Sequence, residues 1–522
     1  PRVWLFAGFG LNFFSIRRYL LFALNNIGGI IMDRRQFCRS AVAAGVAAAF
    51  LPACGKETPV ATQADTGIAA VSLDGAEIEL SKAAVRELGD ALSGPVMLSG
   101  HPQYDSARMI WNGMHDKRPA LIARCLSAED VSNAVSFARD NNVLMAVRGG
   151  GHSWPGKSVC NGGLMIDLSQ MNAATADANT QRARVQGGAL LNALDSAALE
   201  KGMVTTAGVV SHTGCGGYTL GGGFGRLNRK YGLTIDNVTG ARIVTADGRV
   251  RWINADEEPE LFWAIRGGGG NFGVVTDFEY QLHPFDRNLL SGNIVWPVDQ
   301  ARDVLEFYAE WSAGLSDELY VGPSMGRLPE VGDALIMEVV YNGDPAAGEK
   351  ELAPLRAIGK PLVDGVQVQD YMIMQTSADA MMAHGVRSYA KNGMVKEWSQ
   401  GLVDTMIDAY DPRVFLTNHV AGGAVKRVGE TDTAFPHRNA ELMLVFVTGW
   451  GDPAMDQEMI AATRAQYAAI EPYMGGYYDN IEYDRDARTR NFGPAYTRLA
   501  KIKAQYDAGN LFRLNSNIEP AA

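Results

Sequence analysis

Directly after an apolar, strand-like run at residues 143–147 comes Arg148-Gly149-Gly150-Gly151-His152-Ser153-Trp154, the most informative stretch of this chain. Three successive glycines allow positive φ angles and let bare backbone N–H groups approach a ligand. Such a turn is suited to binding a pyrophosphate, and the histidine that follows can contact whatever the phosphates are attached to. The alternative is a glycine-rich surface turn with an incidental histidine, because short glycine motifs often arise by chance.

Two further glycine clusters lie downstream. One spans residues 214–225 and begins Gly214-Cys215-Gly216-Gly217, and the other spans residues 265–275. Three such clusters indicate a backbone that wraps closely around a large cofactor. A Rossmann NAD site is excluded, because no G-x-G-x-x-G follows a first strand in a βαβ unit with an acidic residue about 20 positions later.

With these clusters the chain resembles the berberine-bridge-enzyme-like group of FAD-linked oxidases, in the vanillyl-alcohol oxidase (p-cresol methylhydroxylase-type, PCMH-type) superfamily. Residues 222–237, 260–265 and 506–518 also match the family pattern, and the resemblance runs from about Trp111 to the C-terminus. It implies an α+β fold with a two-subdomain PCMH-type FAD-binding domain and an α/β substrate domain, in which helices cover a sheet. A C-terminal segment is expected to return to the FAD domain.

The amino-acid composition argues against several classes of function for this protein. The 522 residues are 47% hydrophobic and 20% charged, and the formal charge is −11. Length predicts two or three domains, and the negative charge argues against nucleic acid or an anionic lipid surface as the main partner. None of the five cysteines forms a CxxC pair, so no metal site is expected. A Cys125–Cys160 disulfide and free buried thiols both remain open, with free thiols favoured.

The N-terminal region reads as a targeting segment. Residues 1–31 are interpreted as an upstream extension before Met32, and residues 32–55 as a twin-arginine signal peptide with Arg34-Arg35 followed by an apolar run. Two outcomes stay open: lipidation at Cys54, giving a membrane-anchored bacterial lipoprotein, or cleavage nearby, giving a periplasmic or secreted enzyme. Twin-arginine export carries folded proteins, as loading of a cofactor in the cytoplasm would require.

The remaining chain divides by composition and periodicity. Residues 56–77 are predicted to form a linker and residues 78–116 a lead-in, with a helix over 78–99. The FAD-binding domain is placed at 117–287, the substrate domain at 288–474 and the berberine-bridge-like C-terminal segment at 475–522. Helices are predicted at 128–141, 190–201, 301–311, 349–358 and 496–506, and strands at 119–123, 164–168 (half-buried), 241–250 with a turn at 247–248, 274–282, 292–296 and 334–340.

The resemblance implies that the ring of His152 bonds covalently to the flavin 8α-methyl carbon; the alternative is a hydrogen bond to a pyrophosphate or a carbonyl. Many family members carry a second link from a cysteine, and the alignment places that position at Val210, which cannot form the bond. We therefore predict a single covalent link, with Cys215 as a less favoured second anchor because its register is wrong. The residues expected to bind the FAD are Arg148, Gly149, Gly150, Gly151, His152, Ser153, Gly208, Val209, Gly214, Gly217, Gly222, Val274, Asn515 and Asn517.

Tyr478 is the candidate catalytic base, since residues 477–480 resemble the family's Tyr-x-Asn segment. Its pKa, ordinarily about 10, must be lowered for that role; the alternative is a core tyrosine with a satisfied hydroxyl. The polar or acidic residue of plant-like members is missing from strand 442–447. His437 lines the pocket or belongs to a structural turn, and the patch of Arg387, Tyr389 and Lys391 binds a polar substrate or forms a solvated face.

These features predict an FAD-dependent oxidoreductase. It takes hydride from a small organic substrate (an alcohol, sugar, amine or aromatic natural product) to flavin N5, and oxygen reoxidises the flavin to give hydrogen peroxide. One alternative is a dehydrogenase of the same fold with another electron acceptor. Another is a non-catalytic, surface-anchored binding lipoprotein that uses the flavin fold as a scaffold.

Overall fold

The computed structural model describes residues 67–483 and 491–522. The expected upstream extension at 1–31, the twin-arginine signal at 32–55 with Cys54, and most of the expected linker lie outside the described residues. Among the helices that are described, none has the length and apolarity needed to cross a bilayer.

A small mixed sheet, in which β3 pairs antiparallel with β4, carries the first glycine cluster. Its strand order is β3-β4-β6-β5, and β6 runs parallel to both β4 and β5. The predicted helix over 128–141 is confirmed as α3, whose first turn is capped by Ser127, the acceptor of a hydrogen bond from Asp130 N. The elements of this first subdomain are β1 (Ile68–Val71), β2 (Glu77–Leu80), α1 (Lys82–Ala91), β3 (Val96–Met97), α2 (Tyr104–Arg108), β4 (Leu121–Arg124), α3 (Ala128–Asp140), β5 (Met145–Arg148) and β6 (Leu164–Asp167).

Two predictions at the start of the described chain are wrong. The end of the expected linker forms β1, which pairs with β2 in an antiparallel hairpin. The helix predicted over 78–99 is limited to α1, because Glu77–Leu80 alternates as a strand and Ser81 then caps the helix. Beyond it, β3 pairs with β4, so the expected lead-in contributes a strand to the first subdomain.

The strand predicted at 164–168 exists, but it is not half-buried. All four residues of β6 are buried, because β6 lies between two parallel neighbours. Asp167 tolerates full burial since Arg124 Nε donates to its carboxylate at 2.9 Å.

An antiparallel sheet with strand order β11-β10-β12-β8-β7 forms the second subdomain. The predicted turn at 247–248 is confirmed between β10 and β11, where Gly248 has φ +79°. The 3₁₀ turns Thr234–Asn237 and Gly269–Asn271 flank this sheet. Its strands and helices are β7 (Ala174–Asp177), β8 (Arg182–Gln186), α4 (Leu191–Leu199), β9 (Met203–Val204), α5 (Cys215–Leu220), α6 (Asn228–Tyr231), β10 (Val238–Val244), β11 (Val250–Asn254), α7 (Pro259–Ile265), β12 (Val274–Gln281) and β13 (His283–Pro284).

The expected substrate domain is an antiparallel sheet ordered β17-β14-β16-β15-β20-β21-β19, with β18 also paired to β14. Helices α8, α9, α11 and α13 cover one face of it, around residues such as Trp296 and Phe446. Its elements are β14 (Asn288–Pro297), α8 (Ala301–Trp311), β15 (Leu319–Leu328), β16 (Gly332–Tyr341), α9 (Pro345–Ala357), β17 (Val363–Asp364), β18 (Gln367–Asp370), α10 (Tyr371–Gln375), β19 (Arg387–Val395), α11 (Gln400–Asp408), β20 (Phe415–Val420), α12 (Ala424–Arg427), β21 (Leu442–Trp450) and α13 (Asp456–Ile470).

The other face of this large sheet packs against the second glycine cluster. Phe224 and Leu233 share a buried cluster with Met443 and Val445 of β21. The predicted return of the C-terminal segment is confirmed: α14 (Ala495–Tyr506) packs against α7, and its buried Lys503 donates to the Asn271 carbonyl at 2.7 Å.

Candidate functional site

The first two glycine clusters touch each other through their backbones. A Cβ added at Gly150 would meet Gly214 Cα, and one added at Gly214 would meet Gly150 N. Gly217, in the first turn of α5, has open space where a Cβ would lie and is exposed. Gly150 and Gly214 therefore allow two backbones to approach closely, and Gly217 leaves room for a ligand. A cofactor cradle requires both properties.

The third cluster is bonded to the C-terminal tail. Asn515 Nδ2 donates to the Gly270 carbonyl at 3.0 Å, and Asn271 Nδ2 donates to the Ser516 carbonyl at 3.0 Å. Lys157, just beyond the first cluster, donates to Ser516 Oγ at 3.0 Å. The structure thus brings Asn515, and with it half-buried Asn517, into the same region as the first and third clusters.

His152 directly follows the first glycine cluster and is stacked on Trp111, with ring centroids 4.3 Å apart and an interplanar angle of 13°. Its Nε2 is buried without a hydrogen-bond partner. Burial, assisted by His212 and His384, lowers the pKa of His152 to about 3. The ring is therefore neutral at pH 7 and keeps a lone pair for a bond to carbon or a hydrogen bond.

Arg148 and Ser153, on either side of His152 in the glycine turn, already make hydrogen bonds within the protein. Arg148 Nη1 donates to the Ala107 carbonyl at 2.6 Å, while its Nε is buried without a partner. Ser153 Oγ accepts from Lys157 N at 3.0 Å. Gly149 packs toward the Gly187 carbonyl, and Gly151 has φ +70°. These contacts hold the turn in shape, and the Arg148 Nε hydrogen remains for a ligand.

The remaining expected cofactor residues fall into two groups. Gly208 lies against the Tyr218 ring, Val209 is half-buried beside it, and Gly222, at φ +135°, faces Phe435. Val274 is different, because its side chain packs in the core of the first subdomain and is 2% exposed. A side-chain contact from Val274 to adenine or ribose therefore does not follow from this structure.

The structure supports the alternative account of Tyr478. Its hydroxyl accepts from Gly223 N at 3.2 Å and from Asn480 Nδ2 at 2.8 Å, and donates to the Tyr218 carbonyl at 3.3 Å. Burial raises the pKa of Tyr478 above its ordinary value, opposite to what a base needs. In this structure Tyr478 is a satisfied core tyrosine, edge-on to Phe224 at 5.6 Å.

The cysteines are free thiols among the described residues, as favoured from the sequence: Cys125, Cys160 and Cys215. Cys215 is fully buried in the core of the second subdomain. Burial raises the pKa of its thiol well above the usual range, so the thiolate that a second flavin link would need is strongly disfavoured.

The structure also decides two expectations about polar residues near the site. The solvated face predicted for Arg387, Tyr389 and Lys391 is wrong. Arg387 Nε pairs with Asp456 at 2.7 Å, Lys391 Nζ pairs with Glu482 at 2.7 Å, and Tyr389 is buried. His437 Nε2 is hydrogen-bonded to Asn491 Oδ1 at 2.8 Å, which supports the structural turn.

Sequence reasoning missed a polar band on the sheet face that packs against the second cluster. Arg226 Nε and Nη2 both donate to Glu338 Oε1 of β16, at 2.9 and 2.7 Å. His419 of β20 lies near Arg226, with its ring 6.0 Å from Phe224. Burial and the Arg226 cation lower the pKa of His419 to about 4, and its Nδ1 is buried without a partner.

Other polar side chains extend this band across neighbouring strands. Asn293 is the cross-strand partner of Glu338, and Ser324 Oγ lies 3.1 Å from Thr417 Oγ1. The only sequence signal was the alternation of polar and apolar residues within otherwise apolar strands, which does not tell which face meets the glycines. We call Asn293, Ser324, Glu338, Thr417 and His419 with Arg226 the polar band.

A second missed feature is a row of histidines. His212 lies 5.1 Å from His152 and 5.0 Å from His384, centroid to centroid. Among residues 67–483 and 491–522, no group of three or more His, Cys, Asp or Glu side chains has a metal-binding arrangement.

The donor set fits the expected FAD. Open space lies beside Gly217, and the unpartnered buried atoms Arg148 Nε, His152 Nε2 and Asn515 Oδ1 are hydrogen-bonding groups that suit a polar ligand. A neutral, stacked histidine beside this cradle suits the link to the 8α carbon.

Comparison with known proteins agrees with this geometry. Residues 119–254 match the family model for an FAD binding domain, and residues 462–519 match the model described as berberine and berberine like. (R)-6-hydroxynicotine oxidase of Paenarthrobacter nicotinovorans is 33% identical over 462 residues, covering 82% of this chain and 97% of that relative.

Solved structures give the same relationship. The crystal structure of 6-hydroxy-D-nicotine oxidase from Arthrobacter nicotinovorans superposes with a TM-score of 0.76 and 31% identity over 82% of this chain and 98% of that one. A chitooligosaccharide oxidase superposes with a TM-score of 0.74 and 25% identity over 84% of this chain and 100% of that one. The α+β fold, the FAD-binding domain and the assignment as an enzyme are thereby confirmed. This chain belongs to the berberine bridge enzyme-like family of PCMH-type FAD-linked oxidoreductases.

Proposed function

We propose that the protein oxidises a small, neutral polar substrate by hydride transfer to an FAD held through one covalent bond to His152. The observation that carries the proposal is the position of His152: a neutral, stacked imidazole beside the junction of the glycine clusters. When bound, the flavin supplies the hydride acceptor at N5. The protein supplies binding, orientation and proton handling.

Binding of the cofactor is assigned to backbone and tail. Gly150 and Gly214 have no Cβ of their own between backbone and ligand, and Arg148 Nε offers a charged donor. The tail residues Asn515 and Asn517 close the cradle from the side of the third cluster. Val210 cannot form a second covalent bond, and the buried neutral thiol of Cys215 is unsuited to one.

Substrate selection is assigned to the polar band. Arg226 and Glu338 neutralise each other, and His419 is neutral at pH 7, so this wall carries no net charge. Amide, hydroxyl and imidazole groups on such a wall favour neutral substrates with hydroxyl or amine groups. His419, with a free lone pair, is the group we propose to accept a proton from the substrate, since the pKa of Tyr478 is raised.

The relatives support this substrate class without fixing it. One is named for hydroxynicotine and another for a chitooligosaccharide, so an amine-containing ring and a sugar both occur among similar proteins. Both are named oxidases, which favours oxygen as electron acceptor with hydrogen peroxide as product. The dehydrogenase alternative differs only in the acceptor.

Export is a separate proposal that rests on Arg34-Arg35 and the apolar run behind them. The double change Arg34→Lys with Arg35→Lys should leave the protein in the cytoplasm of its bacterial host. Metabolic labelling with a fatty acid, lost in Cys54→Ser, would identify a lipoprotein. Export of the variant with Arg34→Lys and Arg35→Lys would contradict the twin-arginine route.

The test of catalysis is anaerobic mixing of the flavin-loaded protein with neutral sugars, polyols, cyclic amines and aromatic alcohols. We expect one class to bleach the visible flavin absorbance, and air to restore it with release of peroxide. Glu338→Gln should retain flavin and slow bleaching, because it weakens the partner of Arg226, whereas exposed Glu310→Gln should behave as wild type. Restoration by a quinone but not by air would replace the oxidase with a dehydrogenase, and a bound flavin that none of these substrates bleaches would favour the binding-protein alternative.

A further inference from the structure

Three histidines form a continuous row from the buried site to the surface. His152 is half-buried with its Nε2 buried, His212 is half-buried 5.1 Å away, and His384, a further 5.0 Å along, is exposed. The rings are tilted by 43° and 45° to one another. Neither hydride transfer nor substrate binding, as proposed above, uses His212 or His384.

The row is held in place from both ends. Trp111, which stacks on His152, donates from Nε1 to the Met382 carbonyl at 2.6 Å and accepts from Gly385 N at 2.9 Å. These two bonds bracket His384. The segment that carries His384 is therefore tied to the ring that stacks on His152.

Asp379 fixes the middle of the row. Its carboxylate accepts from Ser211 N at 2.8 Å and from Ser211 Oγ at 2.6 Å. Ser211 precedes His212, and Asp379 lies five residues before His384, so the loops bearing these two histidines are bonded to each other. Such an arrangement preserves the distance between the imidazoles.

Two nitrogens within the row have no partner. His152 Nε2 and His212 Nδ1 are both buried and make no hydrogen bond among the described residues. Buried polar atoms without partners are rare in folded proteins and need a reason. A bond from His152 Nε2 to the flavin and a proton accepted at His212 Nδ1 are reasons that use both atoms.

We propose that His212 accepts the proton that His152 releases when it becomes bonded to the flavin, and that His384 passes this proton to solvent. The inference rests on the single covalent link proposed above. His212 and His384 are positioning and proton-transfer residues for cofactor attachment, and they take no part in substrate oxidation.

Attachment of the flavin forms one nitrogen–carbon bond and breaks one C–H and one N–H bond. The unprotonated nitrogen of the His152 ring forms a bond to the 8α carbon. One C–H bond of that carbon breaks, its two electrons remain on the flavin, and its proton is released to solvent. The other His152 nitrogen loses its N–H proton to His212. Oxygen, the acceptor proposed above, takes the two electrons with two protons. Each attachment thus consumes one oxygen and yields one hydrogen peroxide.

The test uses full-length protein produced in riboflavin-limited cells and then mixed with FAD in air. Attachment is followed as flavin that stays with the polypeptide after acid precipitation, and FAD binding is followed separately by quenching of its fluorescence. We expect His212→Ala to bind FAD but to attach it more slowly by roughly 100-fold, the lower end of a general-base contribution. His212→Gln, which keeps a polar side chain but cannot relay a proton, should be as slow.

Added imidazole should restore attachment in His212→Ala, and His384→Ala should show a smaller defect. The matched control is His283→Ala, which removes another stacked histidine, 4.2 Å from the Tyr231 ring, and should attach at the wild-type rate. Wild-type rates in both His212 variants, or a slow His212→Ala that imidazole does not rescue, would overturn the proposal. Wild type without covalent flavin, or His152→Ala with it, would instead overturn the covalent link itself.

Discussion

The C-terminal tail is attached to the flavin cradle by a buried ion pair whose loss should be costly. Lys503 Nζ and Asp507 Oδ2 are 2.5 Å apart, and both side chains are fully buried. Asp507 also accepts from Leu511 N at 2.7 Å and from Phe512 N at 2.9 Å. Lys503 donates to the carbonyl of Asn271 in the third glycine cluster.

Asp507→Ala removes the counter-charge of a buried ammonium and the acceptor of two backbone N–H groups. Breaking one side of a buried pair costs about 3–5 kcal/mol, because the remaining charge stays desolvated. Burial lowers the pKa of Lys503, so part of this cost is recovered by loss of its proton. We therefore expect the free energy of unfolding to fall by about 3 kcal/mol.

The same helix α14 provides the control. Arg498 pairs with Glu260 at 2.5 Å, but these side chains are 39% and 53% exposed. Glu260→Ala should cost at most about 1 kcal/mol, as for other exposed pairs. Urea unfolding of the flavin-loaded protein, followed by circular dichroism and compared at equal slope, measures both changes. Equal losses in Asp507→Ala and Glu260→Ala would refute the argument from burial.

Three further predictions concern the site. Gly150→Ala should lower flavin content, because its Cβ meets the Gly214 backbone, whereas Gly89→Ala, which faces open space, should keep full content when absorbance per protein is measured. Cys215→Ala should leave covalent flavin unchanged after acid precipitation, and loss of the link would contradict our assignment of that thiol. Burial lowers the pKa of His437 to about 4 from about 6.5. Below pH 6.5 the unfolded chain therefore binds a proton that the folded chain does not, so this contribution to stability is complete above pH 6.5 and is lost as pH falls toward 4. The slope is up to about 1.4 kcal/mol per pH unit, and His437→Gln should reduce it in urea unfolding between pH 7 and 5; an unchanged slope would contradict the assignment.

Features set by local chemistry were predictable from the sequence. The glycine clusters need residues without a Cβ, so their role in close backbone approach could be inferred from composition alone, and the contact of Gly150 with Gly214 agrees with it. The helix at 301–311 was predicted with the bounds that α8 has, because its apolar residues recur at helical spacing.

Features that depend on which other segment a strand or loop packs against were not predictable from the sequence. The alternation Glu77–Leu80 was compatible with the start of a helix until its pairing with β1 was known. Glu338 and His419 lie on strands far apart in sequence, and only the register of the sheet places them on the face that meets Arg226. Tyr478 was predicted as a base from its motif, but its burial and hydrogen bonds depend on loops more than 200 residues away.

The neutral His152 ring, stacked on Trp111, also followed from tertiary contacts rather than from its motif. Trp111 lies outside the glycine clusters, and nothing in its neighbourhood in the sequence indicates a ring partner. Burial, with the neighbouring His212 and His384, lowers the pKa of the imidazole and keeps it neutral, which is the property on which the proposed link depends.

The most direct test of the account is a peptide map of the acid-washed protein by mass spectrometry. We predict that yellow colour stays with the polypeptide, and that the peptide containing His152 alone carries the mass of one FAD less two hydrogens. The peptide containing Cys215 should be unmodified. FAD released into the wash, or attached to any residue other than His152, would contradict the assignment of the site.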